Sequence, residues 1–386
     1  MAVQSLTSPS LAYVQASQSE PLPPPSLVRG PLAWLKQNLF SSIPNTILTL
    51  VVLYLLYLIV PPTLRFLLID AVWTGADRAA CREDVIGRAV GACWAFVWDR
   101  LSYFTYGGYP ASERWRVDIF FGMLALGIGW MLWLKAPRRD IGAAYFFLFF
   151  PVASFILLTG WAGIGLEPVA TGFWGGILVT FVVSIVGIVA ALPFGILLAL
   201  GRRSKLPLVR LACVIFIEVV RGVPLITVLI MANTMLPLFL PAGMSVDRLL
   251  RPLVGVAIFA AAYMAEVVRG GLQAVPKGQY EGAMSLGLGY WQMMYFIVLP
   301  QALRIVIPGI VNTFIGLFKD TSLVYVIGVF DLMKTIESAR IDPIWAAPTV
   351  SNTGYAFAAL FYFVCCFGMS RYSLMVERKL AAGQKR

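Results

Sequence analysis

The pentapeptide EVVRG occurs twice, at Glu218 to Gly222 and at Glu266 to Gly270, each time inside a largely apolar stretch. In a helix, residues three apart share a face. Glu218 can therefore pair with Arg221, and Glu266 with Arg269, which lowers the cost of holding charge beside lipid. The glycine that ends each copy permits close packing or a bend, and Pro224 removes a backbone donor just beyond the first copy. A third charged group, Lys319 and Asp320 followed by Thr321 and Ser322, breaks the apolar run from Ala302 to Met333, which also carries Asn312. Two readings of these residues stand side by side. Paired signs at a gate or along a path suit a zwitterionic solute, whereas snorkelling at the membrane boundary and a helix junction are the structural alternatives. The chain has no histidine, which removes histidine acid/base catalysis, His-ligated metal sites and His-containing triads. It also lacks a G-x-x-x-x-G-K-[ST] phosphate cradle. No residue is expected to be catalytic or to hold a metal or cofactor.

The elements that must position these charges follow from hydropathy. A chain of 386 residues that is 59% hydrophobic and 13% charged carries more apolar surface than a soluble core of that size can hide. Its net charge of +11 is spread as short basic clusters between apolar runs, a pattern of membrane orientation and not of nucleic-acid binding. With about 20 residues needed per span, eight spans are expected, near 44–68, 117–134, 142–161, 173–200, 212–238, 250–268, 301–320 and 353–374. The Pro/Ser-rich stretch that includes PLPPPS, Pro21 to Ser26, reads as a disordered tail rather than a cleaved signal peptide, and Pro31 to Phe40 as a surface helix.

The connections KAPRRD (Lys135 to Asp140) and GRRSK (Gly201 to Lys205) are basic, as is the stretch ERKLAAGQKR, whereas Ala162 to Gly172 has no Lys or Arg. Both termini are therefore expected to be cytoplasmic. The loop from Asp70 to Arg116 falls outside, where a Cys81–Cys93 disulfide is allowed, as is a pair of free thiols. The second EVVRG then ends the sixth span at the inner boundary. The first lies near the same boundary or deeper, because the run from Pro207 to Leu240 is too long for one span.

The loop between the sixth and seventh spans reads PKGQYEGAMSLGLGYWQMMYFIVLP, Pro276 to Pro300. Gln279 to Leu286 can form two helical turns, Gly287 and Gly289 let the chain leave with positive φ, and Pro300 suits the first turn of the next span. Glu281, Gly282 and Ala283, then Gly287, then Ile297, Leu299 and Pro300 resemble the E-A-A, G, I-x-L-P signature of ATP-binding-cassette importer permeases, with Gly282 where Ala is usual. EVVRGVPLI, AEVVRGGLQAVPKGQ and FKDTSLVYVIGV resemble the permeases for polar amino acids. The N-terminal half is similar to a permease subunit of the general L-amino acid importers.

The resemblance implies an all-α polytopic membrane protein. Its extension at 44–172, with three spans and an outer loop at 70–116, precedes a five-span type I permease core at 173–375, flanked by cytoplasmic segments at 1–43 and 376–386. It implies an inner-membrane transport subunit that is not itself an enzyme, in which the loop helix docks on an ATPase. The implied partners are a dimer of ATP-binding subunits holding ATP and Mg, a homologous sister permease in a heterodimer, a periplasmic amino-acid-binding protein and the lipid bilayer. An ion-coupled secondary amino acid transporter is the alternative function.

Overall fold

The computed structural model describes residues 30–133, 138–239, 241 and 246–384. The expected disordered tail lies outside these, as does part of the KAPRRD connection. Among the described residues all regular structure is helical, apart from three isolated β-bridges. The chain forms two compact units, Met1–Phe66 and Leu67–Arg386.

In the first unit, α1 (Pro31–Asn38) opens with proline in its first turn, where the missing N–H costs nothing. The Thr49 hydroxyl donates to the Leu39 carbonyl at 2.8 Å and holds the turn into α2 (Ile43–Leu64), which Ser42 caps by accepting from the Asn45 amide. α2 is apolar all round and buries none of its side chains, as a helix solvated by lipid can.

The second unit contains α3 (Trp94–Tyr106), α4 (Arg114–Leu132), α5 (Asp140–Thr159), α6 (Gly176–Arg202), α7 (Pro207–Gly222), α8 (Leu225–Met235) and α9 (Leu250–Ala274). They are followed by α10 (Lys277–Ser285), α11 (Leu299–Ile305), α12 (Ile307–Asp320), α13 (Leu332–Arg340) and α14 (Val350–Gln384). Its spine is the parallel pair α6 and α9. Gly187 faces Val256, and a Cβ at Gly195 would lie 2.7 Å from the Met264 side chain, the kind of close approach on which helix packing in lipid depends. α4 and α5 form an antiparallel hairpin tied to the spine by rings. Phe120 stacks on Phe150 at 5.6 Å, and Phe121 meets Phe181 of α6 at 6.0 Å. This packing places the α4–α5 hairpin of the extension in one unit with the core.

Among the described residues seven helices are long and apolar enough to cross a membrane, and α7 with α8 makes an eighth if the pair counts as one. The span expected near 212–238 is not continuous: α7 and the helix from Leu225 meet at 107°. Val223 is extended, and Pro224 has no N–H to continue the ladder. The span expected near 301–320 also breaks. α11 ends at Ile305 and α12 starts with proline in its own first turn, so Pro300 opens a short helix and not the span. The last helix runs on to Gln384, so most of the basic stretch expected as a tail is helical.

The loop from Asp70 to Arg116 folds as a cap on α13 and the start of α14. Cys81 and Cys93 are disulfide-bonded with Cα atoms 5.8 Å apart. The fully buried Trp345 donates its indole N–H to Asp99 at 2.7 Å, Arg100 pairs with Asp342 at 2.7 Å, and the Cys93 amide donates to the Thr353 hydroxyl at 2.8 Å. Phe96, Phe104, Leu332, Ile336 and Trp345 share one buried cluster there. At the N-terminus of α13 the buried Asp331 accepts from the Met333 and Lys334 amides, and burial raises its carboxyl to about 7.

Candidate gate and coupling site

Glu266 is the hub of the charged residues. One of its oxygens accepts from Arg202, at the end of α6, at 2.7 Å; the other accepts from Arg269 on its own helix, at 2.9 and 2.8 Å. Arg221 of α7 lies 3.7 Å from the same carboxylate, with its guanidinium 5.4 Å over the ring of Tyr263. The second EVVRG therefore pairs within itself as its spacing predicts. The first does not. Glu218 is bound by Arg202 at 2.8 Å and Arg221 turns toward Glu266, so the first copy is spent on neighbouring helices. The physical reason is that Arg202 and Glu266 are more enclosed than Glu218 and Arg221, and an ion pair is worth more where water screens it less than at an exposed i,i+3 pair. α6, α7 and α9 are thus cinched together beside the break at Pro224.

Arg203 connects this belt to the loop helix. Its guanidinium donates to the Leu272 carbonyl and to the Tyr280 hydroxyl, both at 3.0 Å, and lies 5.4 Å from the Tyr280 ring centre. The Tyr280 hydroxyl in turn donates to the Leu272 carbonyl at 2.8 Å. Tyr280 sits on α10, so the helix is pinned to the ends of both α6 and α9.

α10 stops in a Schellman arrangement. The Leu288 amide donates to Ala283 and the Gly287 amide to Met284, at 3.2 and 2.9 Å, with Gly287 at φ +72°. Ala283 is buried, while Glu281 and Gly282 are exposed. A Cβ at Gly282 would meet nothing within 4 Å, so the departure from alanine has no steric consequence inside this chain. Ile297 and Leu299 pack partly buried against the core, and Pro300 lies exposed at the start of α11. Gln301 donates to Gln279 at 3.0 Å and so bridges α11 to α10. Gly271 lets α11 touch α9, since a Cβ there would be 2.6 Å from the Ala302 carbonyl.

The remaining path candidates are elsewhere. Asn312 and Lys319 are exposed on α12 and Asp320 is half-buried. The buried Thr321 hydroxyl donates to Phe318 at 2.8 Å and lies 3.4 Å from the Tyr362 hydroxyl, and Ser322 donates to Lys319 at 2.9 Å. These bonds mark the junction where α12 tightens into the 3₁₀ turn Thr321–Ile327. Among the described residues, no hydrogen bond or ion pair joins this group to the belt. Sequence reasoning missed Arg202, Arg203, Tyr263 and Tyr280. Two of them stood in GRRSK, counted there for orientation alone. Among the described residues no cluster of His, Cys, Asp or Glu could hold a metal ion.

The family described as binding-protein-dependent transport system inner membrane component matches residues 191–382. The chain is 48% identical to the inner membrane amino-acid ABC transporter permease protein YhdY of Escherichia coli, over 92% of this chain and 94% of that one. It is 39% identical to the glutamate/glutamine/aspartate/asparagine transport system permease protein BztC of Rhodobacter capsulatus, over 96% and 98%. The probable glutamine ABC transporter permease protein GlnP of Bacillus subtilis is 34% identical over 53% of this chain and 91% of its own length. A core that stands nearly alone there carries a large addition here. Similarity running through the loop helix and across the whole length of two relatives leaves one conclusion: the chain belongs to the binding-protein-dependent inner membrane permeases of ABC transporters.

Proposed function

We propose that the chain imports amino acids as one of two membrane-spanning subunits of an ATP-driven complex, by alternating access. Family membership disposes of the ion-coupled alternative. The solutes that the relatives' names give, an unspecified amino acid in one case and glutamate, glutamine, aspartate and asparagine in another, support the solute class. The basic clusters of the sequence orient α10 and both termini toward the cytoplasm of a cell with an inner membrane. A dimer of ATPase subunits, holding ATP and Mg, grips α10; a homologous sister permease completes the pathway, and a periplasmic binding protein supplies the solute.

The observation that carries this reading is the chain of contacts from α10 through Tyr280, Arg203 and Leu272 to the ends of α6 and α9. Movement of α10 reaches the Glu266 belt without passing through a flexible segment. The belt closes three helices while its ion pairs hold, and the break at Pro224 lets α7 move against α8 when they part. Glu218, Arg221, Glu266 and Arg269 are accordingly the inner gate, and KDTS is a helix junction beside the path.

The test is uptake of labelled amino acids into proteoliposomes that contain the whole complex. Uptake should stop when internal ATP is removed and persist when the proton gradient is dissipated. The opposite pattern would overturn the proposal. Glu281→Arg should release the ATPase subunits during co-purification and retain the sister permease.

A further inference from the structure

A groove of about 450 Å³ lies between the α4–α5 hairpin and the α6–α9 spine, walled by residues such as Phe150, Val182 and Leu253. Its volume falls in the range of small-molecule sites, about 300–1,000 Å³. Most of its walls are helices long and apolar enough to cross a membrane, which gives lipid access to it. Five polar residues interrupt the apolar lining, Ser154, Thr159, Thr171, Trp174 and Asp247, and the two threonine hydroxyls already donate within the chain. Ser154 and Trp174 are 6% and 5% exposed, and neither the hydroxyl nor the indole N–H has a hydrogen-bond partner. Both can donate. A buried donor left unsatisfied costs about 1–3 kcal/mol, so two in one groove ask for an acceptor that the chain itself does not supply. Asp247 stands just before α9. Its Oδ1 accepts from the Leu249 and Leu250 amides at 2.8 and 3.3 Å, and its Oδ2 accepts from the Thr171 hydroxyl at 2.5 Å. No cation is within ion-pair distance of it among the described residues.

We propose that this groove binds one glycerophospholipid with an amine head group. The acyl chain fills the apolar walls, the ester carbonyls accept from Ser154 and Trp174 after side-chain rotations that bring these two enclosed donors to the groove surface, and the ammonium group pairs with Asp247. Each polar group then meets its complement, and the hydrocarbon replaces a void beside Phe150. The bound lipid joins the extension to the core as a shared packing element. This inference does not depend on the solute that the chain carries.

The complex is purified in mild detergent, exchanged extensively and examined by native mass spectrometry with analysis of the extracted lipid. The expected result is one tightly held amine-headed phospholipid per chain. Ala257→Phe, which projects a ring into the groove, should remove it. Asp247→Asn should leave a lipid bound but weaken the preference for amine over glycerol head groups about tenfold, the worth of about 1.4 kcal/mol. A lipid content no different from the bulk membrane, or retention by Ala257→Phe unchanged, would overturn the proposal. Absence of any head-group preference in the unaltered chain would overturn the assignment of Asp247. Because a ring in the core can unfold a helix bundle, a second measurement uses the unaltered complex and a phospholipid carrying a diazirine on its acyl chain. Labelling concentrated on the facing residues of α5, α6 and α9 supports the site, and labelling spread evenly over the lipid-facing helices refutes it.

Discussion

Arg202 binds Glu266 at 2.7 Å across the α6–α9 seam and, with the same guanidinium, Glu218 of α7 at 2.8 Å. One side chain at the end of a span therefore serves both copies of the repeated pentapeptide. If the belt is the inner gate, Glu266→Gln leaves Arg202, Arg221 and Arg269 facing one another without their common carboxylate. Because these ions are only partly buried, the loss is about 1–3 kcal/mol, the cost of leaving a donor without its partner. Transport should fall about tenfold, while ATP hydrolysis by the assembled complex persists. A proportional loss of both would mean that Glu266 supports folding and not gating.

Gly287 holds φ +72° so that α10 can stop where it does. A β-branched residue pays about 1–2 kcal/mol for that conformation, so Gly287→Val should unwind the end of α10 and weaken retention of the ATPase subunits in pull-down. Gly282→Ala is the matched control. It adds a methyl group that meets nothing and improves helix propensity, so binding should be unchanged or slightly stronger. Equal loss in both variants would refute the distinction.

The Cys81–Cys93 bond closes a loop with a sequence separation of 12. Chain-entropy reasoning gives about 3 kcal/mol for a loop of roughly this length. Replacing both cysteines by serine should free the cap before the bundle: limited proteolysis between Arg82 and Val90 should accelerate while the spans stay protected. Unchanged cleavage kinetics would show that Trp345 and Phe96 hold the cap unaided.

Asp331 titrates near 7 in the folded chain against an ordinary 3.8, because burial outweighs the two amides that it accepts. Folding favours its protonated form. Its contribution to stability is complete below about pH 4, declines as pH rises and is lost above about 7. Thermal unfolding measured from pH 5 to 8 should show a downward slope that Asp331→Asn flattens. A slope of equal size in the variant would assign the effect to another group.

Six of the eight spans were legible because each rests on a long uninterrupted apolar run, and the α10 loop because its signature is local in sequence. The belt was only half legible. An i,i+3 pair such as Glu266 and Arg269 can be read from spacing, but the partners of Glu218 and Arg221 come from other helices and no local pattern encodes them. The break at Pro224 was visible as an overlong run with a proline inside it, yet run length could not say where the turn falls or how sharp it is. Of the cap, only the extent of the loop and the possibility of the Cys81–Cys93 bond were legible. It has no hydropathy period, and the Asp99–Trp345 bond joins residues 246 positions apart.

That bond and the Arg100–Asp342 pair tie α3 to the turn that follows α13, and the shared cluster around Phe96 packs α3 on α13 itself, which makes one stiff body of the two. A stiff body beside moving helices is a fixed benchmark. Spectroscopic labels placed on α3 and α13 should keep one separation throughout the transport cycle, and a third label on α10 would then register the stroke against a known frame.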